Sequence, residues 1–460
     1  MKKALTVLMI MMIALAAYGQ EKSQKEKKPP KEKVGWRFGG ALPAITYDSN
    51  LGFQYGALVE FFNYGKPSIY PDFLDHTYTE VSRFTKGSGI YRMMYESNHL
   101  IGKTHFSIDL SYLPDKAYDF YGFNGYDAIF NKDWMDDEAS AYKSRMFYRF
   151  ERNQFRIKAD IQGKLSGDHL KWSAGFGVNN FSVGSVDIAK LNKGKDPADQ
   201  LPSLAAQPGL FEIYRDSLDL ISDNEADGGW VNTVKAGIMW DSRDNRPNPM
   251  KGIWTEMGIE TAPGFIGNDW AFTKFYILHR QYFTLVKDDL SFVYRIGYQT
   301  LLGGEVPFFY QSQLITSYLT GATNEGLGGA SSLRGVLRNR VIGDGILYGN
   351  IELRWKPIYF RFLKADWYIG WDLFYDFGMV TDRIDLPSAS ALQSSFASKL
   401  TGYSYDDFFK SGAESIHHTA GTSIMFVMNR NFVIAVDIGK AFKAQDSNKL
   451  GFSIGLNYLF

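Results

Sequence analysis

Residues 367 to 377 alternate without a break. Trp367, Ile369, Trp371, Leu373, Tyr375 and Phe377 fall on one side of an extended chain, and Tyr368, Gly370, Asp372, Phe374 and Asp376 on the other. A period of two specifies a β-strand, and this apolar face is too long and too aromatic to meet water. The same pattern recurs. Phe106, Ile108, Leu110 and Tyr112 oppose His105, Ser107, Asp109 and Ser111, and Leu290, Phe292, Tyr294, Ile296 and Tyr298 oppose Ser291, Arg295 and Gly297. Leu347, Ile351, Leu353 and Trp355 oppose Tyr348, Asn350, Glu352 and Arg354, a polar set able to pair inside a lumen.

A soluble sandwich also alternates. Three features favour the membrane. The strands run to about ten residues, the length of a tilted crossing of the hydrocarbon layer. Many end in Trp, Tyr or Phe, where an interfacial girdle sits. A secretion signal precedes a chain with no helical span, which leaves a closed barrel as the structure compatible with a bilayer.

That signal is residues 1–19: Lys2 and Lys3 form the basic region, Ala4 to Ala17 the apolar run, and Ala17-Tyr18-Gly19 the small-residue cleavage site. Residues 20–33 follow as a charged, disordered tether; its stretch 21–33 holds six Lys, three Glu and two Pro and no apolar residue. Residues 34–460 are the expected barrel: all-β, transmembrane, antiparallel, of sixteen strands. The strand cores are read at 36–47, 51–62, 88–97, 103–112, 142–151, 154–163, 170–181, 231–240, 252–261, 271–284, 289–301, 346–356, 366–378, 416–428, 431–441 and 449–460. With the C-terminus periplasmic, 302–345, 379–415 and 442–448 are outer loops, and 63–87 and 113–141 become unusually long periplasmic links.

Composition removes other classes. The chain has no cysteine, and so no disulfide, thiolate metal site, cysteine nucleophile or lipid-modified cysteine. Fifty Lys and Arg balance fifty Asp and Glu, which argues against a nucleic-acid binder. The seven histidines show no metal-ligand spacing, and His417 and His418 cannot point to one side of a strand. No metal, cofactor or catalytic residue is expected. Asp216, Asp219, Asp223, Glu225 and Asp227 lack the spacing of a calcium loop and read as a solvated outer loop.

Several motifs carry a resemblance. Gly328-Gly329-Ala330-Ser331-Ser332-Leu333-Arg334-Gly335-Val336 is followed by Asn350-Ile351-Glu352-Leu353-Arg354 and then by Phe374-Tyr375-Asp376-Phe377-Gly378. Asp241-Ser242-Arg243-Asp244-Asn245 precedes Pro249 and Gly252, and Tyr121-Gly122-Phe123-Asn124-Gly125 is a weaker echo. In order and spacing the chain from 34 to 460 resembles the BamA-type outer-membrane assembly and translocation barrels, the bacterial surface-antigen superfamily. Val336 stands where that family usually has an aromatic. A tether of about 13 residues stands where its assembling members carry periplasmic polypeptide-transport-associated domains, each of domain size.

The resemblance implies a loop folded into the lumen and held there by Arg334. The chemistry agrees: a confined arginine needs a carboxylate partner, and Asp376 and Glu352 share the lumenal parity. Arg334 is expected on Asp376, with Gly335 turning the loop tip, Phe374 offering a ring face and Gly378 completing the strand motif. The terminal strand carries a barrel-assembly signal in Ser453, Gly455, Tyr458 and Phe460, which implies insertion by the assembly machinery and contact with outer-membrane lipid in a Gram-negative bacterium.

Function by resemblance is insertion or translocation of polypeptide, or of lipid, through a lateral seam. Unfolded outer-membrane polypeptides or a larger complex would be the partners. A passive plugged pore and an accessory barrel subunit remain the alternatives. The first strand favours a seam, because Gly35, Gly39 and Gly40 add no packing and Pro43 cannot donate a ladder hydrogen bond.

Overall fold

The structure is a computed structural model. It describes residues 34–460 apart from 49–51, 70–71, 246–247, 316–325, 363–364, 429–431, 448 and 457–460. The expected signal and tether, and Tyr458 and Phe460, lie outside the described residues.

Alternation produces one antiparallel sheet. Its segments are β1 (Trp36–Pro43), β2 (Thr46–Asp48), β3 (Gly52–Asn63), β4 (Asp75–Phe84), β5 (Gly89–Ser97), β6 (His105–Asp119), β7 (Arg149–Ser166), β8 (Leu170–Gly184) and β9 (Gly228–Trp230). They continue as β10 (Thr233–Asp241), β11 (Gly252–Ala262), β12 (Phe272–Val286), β13 (Leu290–Gly304) and β14 (Gly345–Phe362). The last four are β15 (Ala365–Asp382), β16 (His417–Met428), β17 (Phe432–Ala441) and β18 (Leu450–Leu456). β1 and β2 both pair with β3, and β9 and β10 both with β8, so each couple is one interrupted stave. Among the described residues the eighteen segments therefore make sixteen staves, the same total as the sequence pattern predicts though not strand for strand.

Two element boundaries differ from that reading, and they offset each other in the count. The link read at 63–87 contains β4, and of the strands read at 142–151 and 154–163 the second lies inside β7 while the first overlaps it only at 149–151, its other residues being loop. Both strands are disguised by polar lumenal faces. β4 turns His76, Tyr78, Glu80 and Ser82 inward and has Thr77, Thr79, Val81 and Arg83 on its outer face, so no apolar row announces it. In β7, Arg152 and Asn153 fall between the two strands read, yet Arg152 is buried and its Nε donates to the Phe309 carbonyl at 2.9 Å. With β4 restored, 120–148 moves to the side of the other long loops, 185–227, 305–344 and 383–416. The opposite side carries 64–74, 98–104, 167–169, 242–251 and 287–289, shorter connections of the periplasmic kind.

These long loops cap the barrel with an aromatic core. Phe120, Phe123, Phe147, Tyr148, Phe211, Tyr214, Phe308, Phe309, Phe396 and Phe408 are all buried in it, and Phe120 packs edge-on against Phe150, Tyr214 and Phe308. The acidic stretch of the 185–227 loop belongs to this cap rather than to solvent alone. Glu225 is buried and accepts from the Phe308 amide at 2.9 Å, while Asp219 pairs with Lys399 at 2.8 Å.

The first and last staves meet in an unusual way. Among the described residues no register ladder joins β1 or β2 to β18. Phe432, with Met428 and Ile434 beside it, packs instead on Leu42, Leu58, Tyr78 and Met94 from the lumenal face of the first staves. On the opposite face of the same hairpin, Val427 and Val433 pack with Tyr368 and Met425. Both faces of its periplasmic end are covered, so the hairpin is tucked inside the rim. Gly40 is fitted to this arrangement, because a Cβ there would lie 2.5 Å from the Phe432 ring.

Candidate functional site

The loop before β14 enters the lumen and folds on itself between Gly326 and Val341. Ser332 builds the turn: its hydroxyl donates to the Gly326 carbonyl at 2.9 Å and accepts from the Gly328 amide at 3.0 Å. Leu327, Leu333, Val336 and Val341 bury against Leu278, Ile346, Tyr348, Val380 and Ala441 of the barrel wall. Gly378 makes room for this packing, since a Cβ there would stand 3.1 Å from Leu327 and 3.2 Å from Leu333.

Arg334 projects from this turn into the wall. Its Nε donates to Asp376 Oδ2 at 2.8 Å and its Nη2 to Asp376 Oδ1 at 2.7 Å, a bidentate fork. Its own amide also donates to Asp376 Oδ2 at 3.0 Å. Nη1 lies 2.8 Å from Glu352 and 3.8 Å from Asp437. The guanidinium carbon sits 3.6 Å from the centre of the Phe374 ring. That ring is seated by Gly421, where a Cβ would approach it to 2.3 Å. Register explains the convergence: Asn350 pairs with Asp376 and Glu352 with Phe374, so the two carboxylates stand on adjacent inward rows. Glu352 is shared with Arg354, at 2.7 and 2.6 Å.

Gly335 adopts φ +97, which a side chain rarely tolerates, and a Cβ there would lie 2.7 Å from the backbone of Gly439. A Cβ on Gly451 would in turn meet Gly335 Cα at 2.6 Å. The loop tip thus rests backbone to backbone on β17 and β18, and Thr419 donates to the Arg334 carbonyl at 2.6 Å. Of the terminal-strand residues, Ser453 faces inward and donates to Asp437 at 3.4 Å. Gly455 pairs in register with Ala435.

Sequence reasoning missed two further loop anchors. Arg338 pairs with Asp115 at 2.9 Å and Asp119 at 2.8 Å on β6. Arg340, fully buried, donates to the carbonyls of Gly125, Ala128 and Gln445 at 2.8, 2.8 and 2.9 Å. Burial pulls its pKa below the usual arginine range, against the opposing pull of Asp446 and Tyr126. The signal available was three arginines within seven residues of one lumenal loop. Beside them His417 faces inward, hydrogen-bonded to Asp446 at 2.5 Å and Glu414 at 3.2 Å, whereas His418 faces outward against Phe442.

A sixteen-stave antiparallel barrel with an arginine-locked loop in its lumen defines a class: the outer-membrane β-barrels that carry a lumenal plug loop. The Omp85 superfamily domain matches residues 98–460, and the chain belongs to the Omp85 superfamily. Barrels of this superfamily are transport and assembly proteins of the Gram-negative outer membrane. Among solved structures, BamA from Haemophilus ducreyi lacking POTRA domains 1–3 is similar at 12% identity and a TM-score of 0.46, over 93% of this chain and 71% of that one. CdiB from Escherichia coli is similar at 10% and 0.49, over 94% and 62%, and CdiB from Acinetobacter baumannii at 13% and 0.42, over 93% and 60%. No curated protein matches.

Proposed function

We propose that this barrel inserts or translocates polypeptide at the outer membrane through a lateral seam between its first and last staves. The observation that carries the reading is the inward-tucked β16–β17 hairpin next to the last stave, held to the first staves by side-chain packing at Phe432. Side-chain packing can be released without breaking a ladder, and the exposed edge of the first stave is then a template on which an incoming strand can pair. The aromatic cap and the lumenal loop both obstruct a route through the lumen, which favours the seam over a passive pore.

The test uses the absence of native cysteine. Leu42→Cys and Phe432→Cys, joined by a short bis-maleimide, pin the hairpin to the first staves. The pinned protein is expected to lose complementation of a deletion strain, while the unlinked double variant keeps it. Full complementation by the pinned form would refute seam opening.

A further inference from the structure

The exterior of β11, β12 and β13 carries a polar chain where the barrel should present only apolar groups. Thr255 pairs in register with His279, and Gln281 with Tyr294. All four share the outward parity, because Trp254, Glu256, Arg280, Tyr282, Val293 and Arg295 on the same strands are buried in the lumen. Apolar residues flank the group on both sides along the strands. Met257 and Ile296 lie above it and Phe283 below, each about two-fifths exposed at 39%, 42% and 40%. His279 is the eighth residue of the fifteen in β12, so the group lies near mid-depth of the hydrocarbon belt.

The hydrogen bonds fix a direction. Tyr294 donates its hydroxyl proton to Gln281 Oε1 at 2.7 Å, so its oxygen accepts from His279 Nε2 at 3.2 Å. His279 Nδ1 lies 2.7 Å from the Thr255 hydroxyl and shares a hydrogen bond with it. The chain terminates on the Gln281 carboxamide. Its NH2 group has no partner among the described residues, and its oxygen keeps a lone pair. Lipid tails can satisfy neither, and polar groups on a barrel's lipid face are destabilising.

We infer that this face is an interface with a second copy of the same chain, meeting about a twofold axis near Gln281. A carboxamide is self-complementary: across a twofold axis each Gln281 donates to the other's oxygen, which satisfies both copies with one residue. β12 belongs to the tenth of the sixteen staves, roughly opposite the junction of the first and last. Two barrels joined here would leave both junctions facing lipid.

The experiment keeps Gln281 and places a single cysteine beside it, Phe283→Cys, in the full chain in native outer membranes. A short bis-maleimide is expected to give a product of twice the monomer mass. Ile108→Cys, exterior on β6, is expected to give none. Adding Gln281→Leu should lower the dimer yield about tenfold, and Gln281→Asn, which keeps the carboxamide, should lower it less. Heat-modifiable gel mobility verifies that each variant is folded. Absence of a dimer from Phe283→Cys, equal yield from Ile108→Cys, a product of another mass, or a yield indifferent to Gln281→Leu overturns the inference.

Discussion

Arg334→Ala tests the lumenal lock most directly. The substitution removes both arms of the Asp376 fork, the 2.8 Å contact to Glu352 and the stack on Phe374. It leaves the amide bond to Asp376, which any residue can make. Glu352 retains Arg354, so most of the damage falls on Asp376, a fully buried carboxylate left with a single donor from the loop. Breaking one side of a buried pair costs about 3–5 kcal/mol. If that cost falls on the seated loop and not on the barrel, the equilibrium for local opening rises by about 10²–10⁴. Hydrogen–deuterium exchange on the folded protein reads this directly. Amides between Gly326 and Val341 should exchange faster by that factor, while the β14–β15 ladder stays protected. Arg334→Lys should fall between, since an ammonium keeps the charge but neither the fork nor the planar stack. Exchange of the loop unchanged within about threefold would show that Arg334 does not hold it, and the magnitude reasoned from the buried pair would be wrong.

Other outcomes follow from the same contacts. Gly451→Val should lower the temperature at which the barrel loses its heat-modifiable gel shift, because the new side chain meets Gly335 Cα; Gly303→Val, with nothing within 4 Å, is the control and should not. Arg340→Ala strands the buried carbonyls of Gly125 and Ala128 and should speed proteolysis of the 120–148 loop in intact cells, and an unchanged cleavage rate would contradict its anchoring role. Removing Tyr458 to Phe460 should lower the outer-membrane yield of folded barrel in pulse-chase fractionation, and an unchanged yield would remove the assembly-signal reading of that strand.

The architecture was legible where the outer face of a strand is apolar. Trp367 to Phe377 and Leu347 to Trp355 declared themselves, because lipid demands apolar residues on every second position. β4 was hidden because threonines outside and His76, Glu80 and Ser82 inside leave no contrast between its faces. The Arg334–Asp376 pairing was legible through parity and motif spacing together, since parity fixes which carboxylates face the lumen. Arg338 and Arg340 were not, because their partners lie on β6 and in loop backbones more than 100 residues away in the chain, and carbonyl partners leave no trace in side-chain identity. The tucked hairpin was equally invisible: Phe432 reads as one more lipid-facing aromatic until the first staves are in place to cover it.

The seat of Gly335 on Gly439 and Gly451 carries a consequence for the order of biogenesis. Leu278 on β12 precedes the turn, but the carboxylates that meet the Arg334 guanidinium, Glu352, Asp376 and Asp437, and the glycines beneath Gly335, Gly439 and Gly451, are all synthesised and exported after it. During export the arginine is a cation without its counter-charges, and the Gly335 tip has no floor until the last hairpin arrives. Seating of the loop therefore reports that β17 and β18 have arrived: a barrel lacking β18 could build most of its wall, yet its lumenal arginine turn would lack part of its seat.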